Sequence, residues 1–356
     1  MRLAEQKLEK LMRRKNLDVI LFWGMENIRY LCGFTGSDGA FLFAPKERFF
    51  LSDSRYTEQA KVEVTCAALV TYKQKIPGIV QLLKSGRYRR IGFEAGVITF
   101  ESYRRLRENL PKLVWEPLAS ELGPLRAIKE DEEMHRLKQA VRAASASFLK
   151  ILPGIKPGSR EKKIAEDLEC RFRKEGGEKP AFDTIVASGF RGALPHGAAS
   201  EKKLQAGEAV VVDFGTRFRG YNSDETKTLV LGKPDGRTER VYEIVRKAQA
   251  RAIRAIRPGV SVRRIDAAAR DVIQKAGFGK YFGHGTGHGV GLAVHEEPSI
   301  SPKGRGIVEE GMVFTVEPGI YIPGWGGVRL EDMVVVTSGG CELITYLSKE
   351  LKDNIL

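Results

Sequence analysis

The sequence predicts two domains of different class: an α/β domain over residues 1–121, and an α+β domain over residues 122–356 whose halves repeat each other about a pseudo-twofold axis. Three observations predict this. Short apolar runs alternate with helical periods through the first third of the chain. A gap-free repeat then aligns Lys156-Pro157-Gly158 to Lys174-Glu175-Gly176 with Arg257-Pro258-Gly259 to Lys275-Ala276-Gly277, at an offset of 258 − 157 = 101 positions. Finally, each copy is followed by a glycine-bounded apolar strand ending in a carboxylate, Gly207 to Asp213 and Gly311 to Glu317.

The elements follow in order. Met1 to Asn16 carries the helical period (Leu3, Leu8, Leu11, Met12) among charges of both signs. Val19 to Trp23 follows as a buried strand. It is too short and too closely flanked by acid for a signal peptide, which points to a cytoplasmic protein. Ala40–Phe43, Arg48–Leu51 and Ile91–Phe93 are further short apolar runs, and Ile79–Leu83 and Phe100–Leu110 read as helices. Alternation of this kind gives an α/β domain. Asp53, Arg55 and Tyr56 are polar there, but loop polarity alone is common and no catalytic cluster is visible. A linker runs from Pro117 to Lys129. Beyond it, Met134, Leu137, Val141, Ala144 and Phe148 define a helix over Glu130–Leu152, stopped by Pro153-Gly154. Its counterpart, Arg240–Ile256, stops at Pro258-Gly259. Helices followed by antiparallel-type strands give an α+β domain with helices outside a curved sheet. A repeat of about a hundred residues exceeds the 20–50 of solenoids and is explained by duplication of a half-domain.

Composition removes several function classes. With 42% hydrophobic and 29% charged residues the chain is an ordinary globular protein. No apolar run approaches the roughly 20 residues of a membrane span. The four cysteines (Cys32, Cys66, Cys170, Cys341) form no C-x-x-C pair and read as reduced thiols. The net charge of +14 is spread along the chain. Its densest clusters, Lys84–Arg90 and Arg257–Arg264, are short and do not alternate with a series of stacking aromatics, so nucleic acid is not expected as a partner.

The chemistry lies in the second domain. Asp213 closes an apolar strand on the face of Val211, an expensive place for a carboxylate unless it meets a cation. Asp224 lies 224 − 213 = 11 positions on, past a turn at Gly220, and opens the β-prone run Thr226–Leu231. Glu317 and Glu331 repeat the arrangement. Four carboxylates converging on one buried point require cations to neutralise them, which predicts a dinuclear metal centre. His288 sits in Gly283-His284-Gly285-Thr286-Gly287-His288-Gly289-Val290-Gly291, where glycines let the backbone approach a ligand closely. The stretch lacks a complete G-x-G-x-x-G, so it does not read as a phosphate loop. His288 is taken as a ligand and His284 as its support. One imidazole and four carboxylates suit Mn²⁺, with Co²⁺ or Zn²⁺ tolerated. Such cations acidify water into a nucleophile for a carbonyl. Neither G-x-S-x-G nor H-E-x-x-H occurs. His196 and His295 correspond across the repeat and are expected to serve a developing oxyanion and a leaving amine. Arg329, two before Glu331, is expected to hold a ligand carboxylate or the substrate.

Taken together, Phe182-Asp-Thr-Ile-Val-Ala-Ser-Gly, Leu194-Pro-His-Gly, Val212-Asp-Phe-Gly, Ser223-Asp-Glu-Thr-Lys-Thr, His284-Gly-Thr-Gly-His-Gly-Val-Gly-Leu, Val294-His-Glu-Glu-Pro, Thr315-Val-Glu-Pro-Gly-Ile-Tyr and Gly327-Val-Arg-Leu-Glu-Asp resemble the pita-bread metallopeptidases. These are the Xaa-Pro dipeptidases (prolidases), aminopeptidases P and methionine aminopeptidases. Residues 1–121 resemble the creatinase-type amino-terminal domain, which favours the proline-specific branch. The resemblance implies two divalent ions on Asp213, Asp224, His288, Glu317 and Glu331, with Glu317 as the bridging, proton-shuttling carboxylate. It implies substrate-binding histidines at His196 and His295, and a proline pocket lined by Phe182 and Val294. It further implies a homodimer acting on small peptides with proline in second position. Three positions depart from the family pattern, Lys227, Gly285 and Ala293, and bear on substrate preference. A dipeptidase needs a cation for the product carboxylate, for which Lys303 or Arg305 is the nearest in sequence. The alternatives are an aminopeptidase P, a non-enzymatic binding module of the same fold, and a metal-free hydrolase of the creatinase type. Intact ligands argue against the last two.

Overall fold

A computed structural model describes residues 3–356. It divides into units ending at Arg126 and beginning at Ala127, inside the expected linker and later than the expected boundary between residues 121 and 122. In the first unit the elements are α1 (Leu3–Lys15), β1 (Val19–Phe22), α2 (Met25–Cys32), β2 (Ala40–Phe43), β3 (Arg48–Ser52), α3 (Thr57–Glu63), β4 (Ala68–Thr71), α4 (Lys75–Ser85), β5 (Arg90–Glu94), α5 (Phe100–Asn109) and β6 (Val114–Leu118). The strands form one mixed sheet in the order β4-β3-β2-β1-β5-β6. Side-chain alternation along β1 feeds two cores. Ile20 and Phe22 pack with Leu8 and Phe41 on one face, while Val19 and Leu21 pack with Ile79 and Leu106 on the other. Both faces are therefore covered, and the expected α/β class holds.

One expectation fails here. Pro117 and Leu118 are not linker but the end of β6, paired with Phe93 and Glu94. A proline is tolerated because β6 is an edge strand. Asp53 and Arg55, polar in the sequence, are spent on each other: the Arg55 Nη2 donates to Asp53 Oδ2 at 2.7 Å.

The second unit contains α6 (Asp131–Ile151), α7 (Glu161–Lys174), β7 (Ile185–Ser188), β8 (Ala209–Phe214), β9 (Arg217–Phe218), β10 (Tyr221–Asn222) and β11 (Glu225–Val230). Its other half contains α8 (Gly236–Ala255), α9 (Val262–Lys275), β12 (Gly287–Gly289), β13 (Glu296–Ile300), β14 (Val313–Val316), β15 (Gly319–Ile322), β16 (Gly326–Arg329), β17 (Asp332–Val336) and β18 (Cys341–Leu343). The repeat read from sequence is a structural one. Helices α7 and α9 begin 262 − 161 = 101 and end 275 − 174 = 101 positions apart. The glycines flanking them, Gly158 with Gly259 and Gly176 with Gly277, all hold positive φ. Helix α8 starts four residues before the expected Arg240, because the Asp235 carboxylate caps it by accepting from the Thr238 amide at 2.6 Å.

Each half packs its helices on its own strands. Phe148 of α6, with Leu168 and Phe172 of α7, meets Val210, Val212 and Phe214 of β8. In the other half, Val241 and Val245 of α8, with Ile265 and Ala269 of α9, meet Phe314 and Val316 of β14 and Val334 of β17. The strands form a three-stranded sheet, β11-β8-β7, and a five-stranded sheet, β13-β12-β14-β17-β18, with ribbons β9–β10 and β15–β16 between the paired strands. All four described cysteines are free, and no helix among the described residues is long and apolar enough to cross a membrane.

The Phe148 and Phe214 rings stack with centroids 4.9 Å apart, next in sequence to Asp213. Phe148→Ala is expected to cost about 3–5 kcal/mol of stability. Urea denaturation measures it, and a cost near zero would contradict this account of the core.

Candidate metal centre

The two halves present their carboxylates in the same way. Strand β8 runs into Asp213, and Asp224 immediately precedes β11, its antiparallel neighbour. Strand β14 runs into Glu317, and Glu331 immediately precedes β17, likewise its neighbour. In each half a short two-stranded ribbon separates the two acids. The strand pairing therefore brings each pair of acids to one end of its ribbon.

All ten residues chosen from the sequence (Phe182, His196, Asp213, Asp224, His288, Val294, His295, Glu317, Arg329 and Glu331) line one cleft of about 540 Å³. Donor atoms of Asp224, His288 and Glu331 all lie within 4.8 Å of one another. The Nδ1–H of His288 donates to the Gly289 carbonyl at 3.1 Å, which leaves Nε2 facing Glu317 Oε1 at 3.2 Å and Asp224 Oδ2 at 3.7 Å. The backbone at this point demands a glycine: a Cβ on Gly287 would lie 1.9 Å from the Thr315 carbonyl oxygen. Thr226 Oγ1 donates to Glu331 Oε2 at 2.7 Å, and Thr315 Oγ1 to Glu317 Oε1 at 3.1 Å.

Asp213 has one oxygen bound and one free. Its Oδ2 accepts from Arg329 Nη2 at 2.6 Å, but its Oδ1 is buried with no hydrogen-bond partner. Burial, with the neighbouring carboxylates, pushes Asp224 and Glu331 well above the ordinary carboxylate range, and burial also raises Asp213. Burial would raise Glu317 too, but the bond and charge of His288, with His284 and Arg329, together outweigh it and hold Glu317 at about 2. The same pairing overcomes the burial of His288 and lifts it to about 9. Without a cation, this set is held together only by taking up protons. An orphaned carboxylate oxygen, four acids and an imidazole nitrogen aimed among them fit hard divalent cations.

Four of the five N–H groups of Arg329 are engaged. Besides Asp213, it donates through Nη1 to Pro195 O and Tyr321 Oη, both at 3.0 Å, and through Nε to Thr226 Oγ1 at 3.1 Å. Tyr321 in turn meets His284 Nε2 at 2.9 Å, while the Nδ1–H of His284 donates to Gly285 O at 2.7 Å. His284 thus stands at the end of a relay through Tyr321 and Arg329 to Asp213. Tyr321 and Thr226 were not singled out from sequence. Tyr321 lies on β15 in the Glu317-Pro-Gly-Ile-Tyr stretch, and nothing in its spacing signals a role; an uncharged side chain carries no electrostatic hint.

The loops bearing the histidines are pinned by buried acids on the helices. Glu161 of α7 accepts at Oε1 from the Ser188 amide (2.8 Å) and hydroxyl (2.7 Å). Its Oε2 accepts from Arg191 Nε (2.9 Å) and the Ser200 hydroxyl (2.6 Å), bracketing the segment that carries His196. Asp266 of α9 accepts from the Thr286 hydroxyl at 2.8 Å and pairs with Arg270, whose Nη2 also donates to His284 O at 2.8 Å. The His288 and His295 rings pack at 3.9 Å between centroids.

Two expectations are corrected. Lys303 and Arg305 are exposed and do not line the cleft. Lys227 lies on the face of β11 away from it, because strand alternation sends Asp224, Thr226 and Thr228 one way and Glu225 and Lys227 the other. Of the three departures from the family pattern, only Gly285 lines the cleft.

Comparison with known proteins agrees with this geometry. Residues 135–338 match the model of metallopeptidase family M24, and residues 5–128 that of the creatinase/prolidase N-terminal domain. The chain is 36% identical over 346 residues to an Xaa-Pro dipeptidase of Pyrococcus furiosus, covering 97% of this chain and 98% of that one. Among solved structures, an Xaa-Pro dipeptidase from Bacillus anthracis superposes with a TM-score of 0.95 at 40% identity, covering 99% of both chains. An X-Pro aminopeptidase from Thermotoga maritima gives 0.89 at 36% identity, again covering 99% of both.

Asp224→Asn keeps the shape but removes an anion from the centre. It is expected to weaken Mn²⁺ binding by on the order of 100-fold or more, at or beyond the upper range for groups that merely orient a ligand. Metal content after dialysis, read with circular dichroism to confirm the fold, measures this; full metal content would refute a ligand role.

Proposed function

This chain belongs to metallopeptidase family M24, and on that premise we propose that it is an Xaa-Pro dipeptidase using two divalent ions, Mn²⁺ by preference, on Asp213, Asp224, His288, Glu317 and Glu331. The observation that carries the reading is the convergence in one cleft of acids from both halves, with Asp213 Oδ1 left partnerless. The names of the Pyrococcus and Bacillus relatives support the substrate class. Co²⁺ or Zn²⁺ also suits the donor set. We further read the protein as a cytoplasmic homodimer that engages neither membrane nor nucleic acid.

When bound, the cations polarise the scissile carbonyl and acidify water. The rest falls to the chain. Glu317 is held at about 2 by His288 together with His284 and Arg329, so it is a carboxylate at neutral pH, and we assign it the proton-accepting role. His295 lines the cleft and is pushed below its usual value by desolvation and by His288, so it is a neutral imidazole with an N–H to donate. His196 faces the cleft from the other half. Phe182 and Val294, with Ile185, give the apolar wall a pyrrolidine ring requires. An Xaa-Pro bond has no N–H, so its recognition rests on ring packing and on the carbonyl rather than on strand-type pairing.

One observation favours a second reading, aminopeptidase P. Among the described residues lining the cleft, Arg329 is the one Arg or Lys, and its charge is already paired with Asp213. A dipeptide's carboxylate must then be met by His196 or His295, whereas a longer peptide places no charge there. The Thermotoga neighbour is named as an aminopeptidase.

With Mn²⁺, cleavage of Ala-Pro but not Ala-Pro-Ala is expected. Turnover of the tripeptide favours the aminopeptidase, and no turnover of either by metal-loaded protein would refute both. His295→Ala is expected to retain metal yet slow turnover by roughly 10²-fold, the scale of one lost oxyanion donor. An unchanged rate would assign His295 to structure.

A further inference from the structure

Behind the metal centre lies a second ionic cluster that the chemistry does not use. Glu225 follows Asp224 and Asp332 follows Glu331, so alternation sends both to the opposite face of the strands. Lys349, from the segment after β18, donates to Glu225 Oε1 at 2.6 Å and lies 3.0 Å from Asp332 Oδ1. The side chains of Lys349, Glu225 and Asp332 are 9%, 1% and 5% exposed. Each acid has a further partner on the helix of its own half: Ser145 Oγ of α6 donates to Glu225 Oε2 at 3.2 Å, and Gln249 Nε2 of α8 to Asp332 Oδ2 at 2.9 Å. Thr345 Oγ1 adds a bond to Asp332 Oδ1 at 2.6 Å.

The placement has a consequence. Strands β11 and β17 belong to different sheets, joined directly at this point by the Glu331 amide donating to Thr226 O at 3.2 Å. On the cleft face, Asp224 and Glu331 repel each other across this seam. On the rear face, Glu225 and Asp332 do the same. Lys227 is a second cation nearby, but burial and Lys349 push it down to about 7, so it is a weak counterion. Burial opposes the charge on Lys349, yet Glu225 and Asp332 outweigh it.

We propose that Lys349 is a positioning residue for the metal centre: by binding Glu225 and Asp332 at once, it fixes the spacing of Asp224 and Glu331 and so sets the affinity for the divalent ions. A cation built into the chain clasps the rear of the seam that the metal ions clasp from the front. The inference rests on the metal reading above.

The test is Mn²⁺ binding to chelator-stripped, full-length protein, by competition with a fluorescent chelator, alongside thermal melts. Lys349→Met is expected to weaken Mn²⁺ affinity by about 10-fold or more, the scale of a lost orienting group. Lys349→Arg is expected to recover most of that, because a guanidinium can bridge two carboxylates. A lysine that only stabilises the fold would lower the melting temperature while leaving affinity intact, and that result overturns the proposal. If Lys349→Met does not fold, Glu225→Gln takes its place, since it releases one arm of the clasp and keeps the shape; weaker Mn²⁺ binding supports the proposal and unchanged binding overturns it. Wild-type protein that binds no Mn²⁺ would overturn the metal reading itself and this inference with it. Wild-type binding together with unaltered binding by the variants would overturn this inference alone.

Discussion

Mutual repulsion of buried carboxylates is the constraint on which the second unit depends. Asp213, Asp224, Glu317 and Glu331 line one cleft, and desolvation with like charge raises three of them. The fourth, Glu317, is held low by His288 at 3.2 Å, helped by His284 and Arg329. A fold that assembles such a set must supply positive charge from every direction. It does so with Arg329 at the side and Lys349 behind, while the Nε2 of His288 points among the acids. Each of these cations is itself buried, so each costs desolvation that only its acidic partner offsets. The arrangement is therefore cooperative: removing any one charge leaves its partners uncompensated.

Duplication is the economical way to build it. A single half offers two acids on a ribbon, and two acids separated by a hairpin have no reason to hold a cation in a defined place. Joining two halves doubles the donors at a point on the pseudo-axis. The helices then make the site rigid. Glu161 and Asp266, each on the second helix of its half, spend their charge on backbone and hydroxyl donors of the glycine-rich segments, not on the cleft. Loops that would otherwise sample many conformations are thereby fixed at both ends.

This division of labour explains what the sequence revealed. The acids that converge in the cleft were legible because acids closing apolar strands are anomalous, and because the anomaly occurred twice at matched positions. The repeat that carries helices α7 and α9 was legible in register, though it did not by itself give the helix ends. Tyr321, Thr226 and Thr315 were not, because uncharged groups on a strand look the same whether they face a core or a carboxylate. Pro117 misled because proline signals a linker in sequence, whereas an edge strand leaves its missing N–H without consequence. Lys303 and Arg305 misled because proximity in sequence to Val294 and His295 says nothing about the direction of an exposed loop.

The repeat also accounts for a pair of contacts that neither half could make alone. Asn222 and Arg329 occupy equivalent positions, each two residues before a carboxylate, Asp224 and Glu331. Arg329, in the second half, donates to Pro195 O beside His196 of the first. Asn222, in the first half, donates through Nδ2 to Gly291 O at 2.9 Å and Leu292 O at 3.0 Å, in the loop that leads to Val294 and His295 of the second. Each half thus holds the other's histidine-bearing loop from beside its own cleft carboxylate. The two residues differ because their surroundings do: Arg329 also answers the charge of Asp213, while Asn222 is fully buried and accepts from Arg217 Nε at 3.1 Å. A twofold fold has in this way become an asymmetric site. One half carries a fixed cation at this position and the other a neutral, fully buried amide.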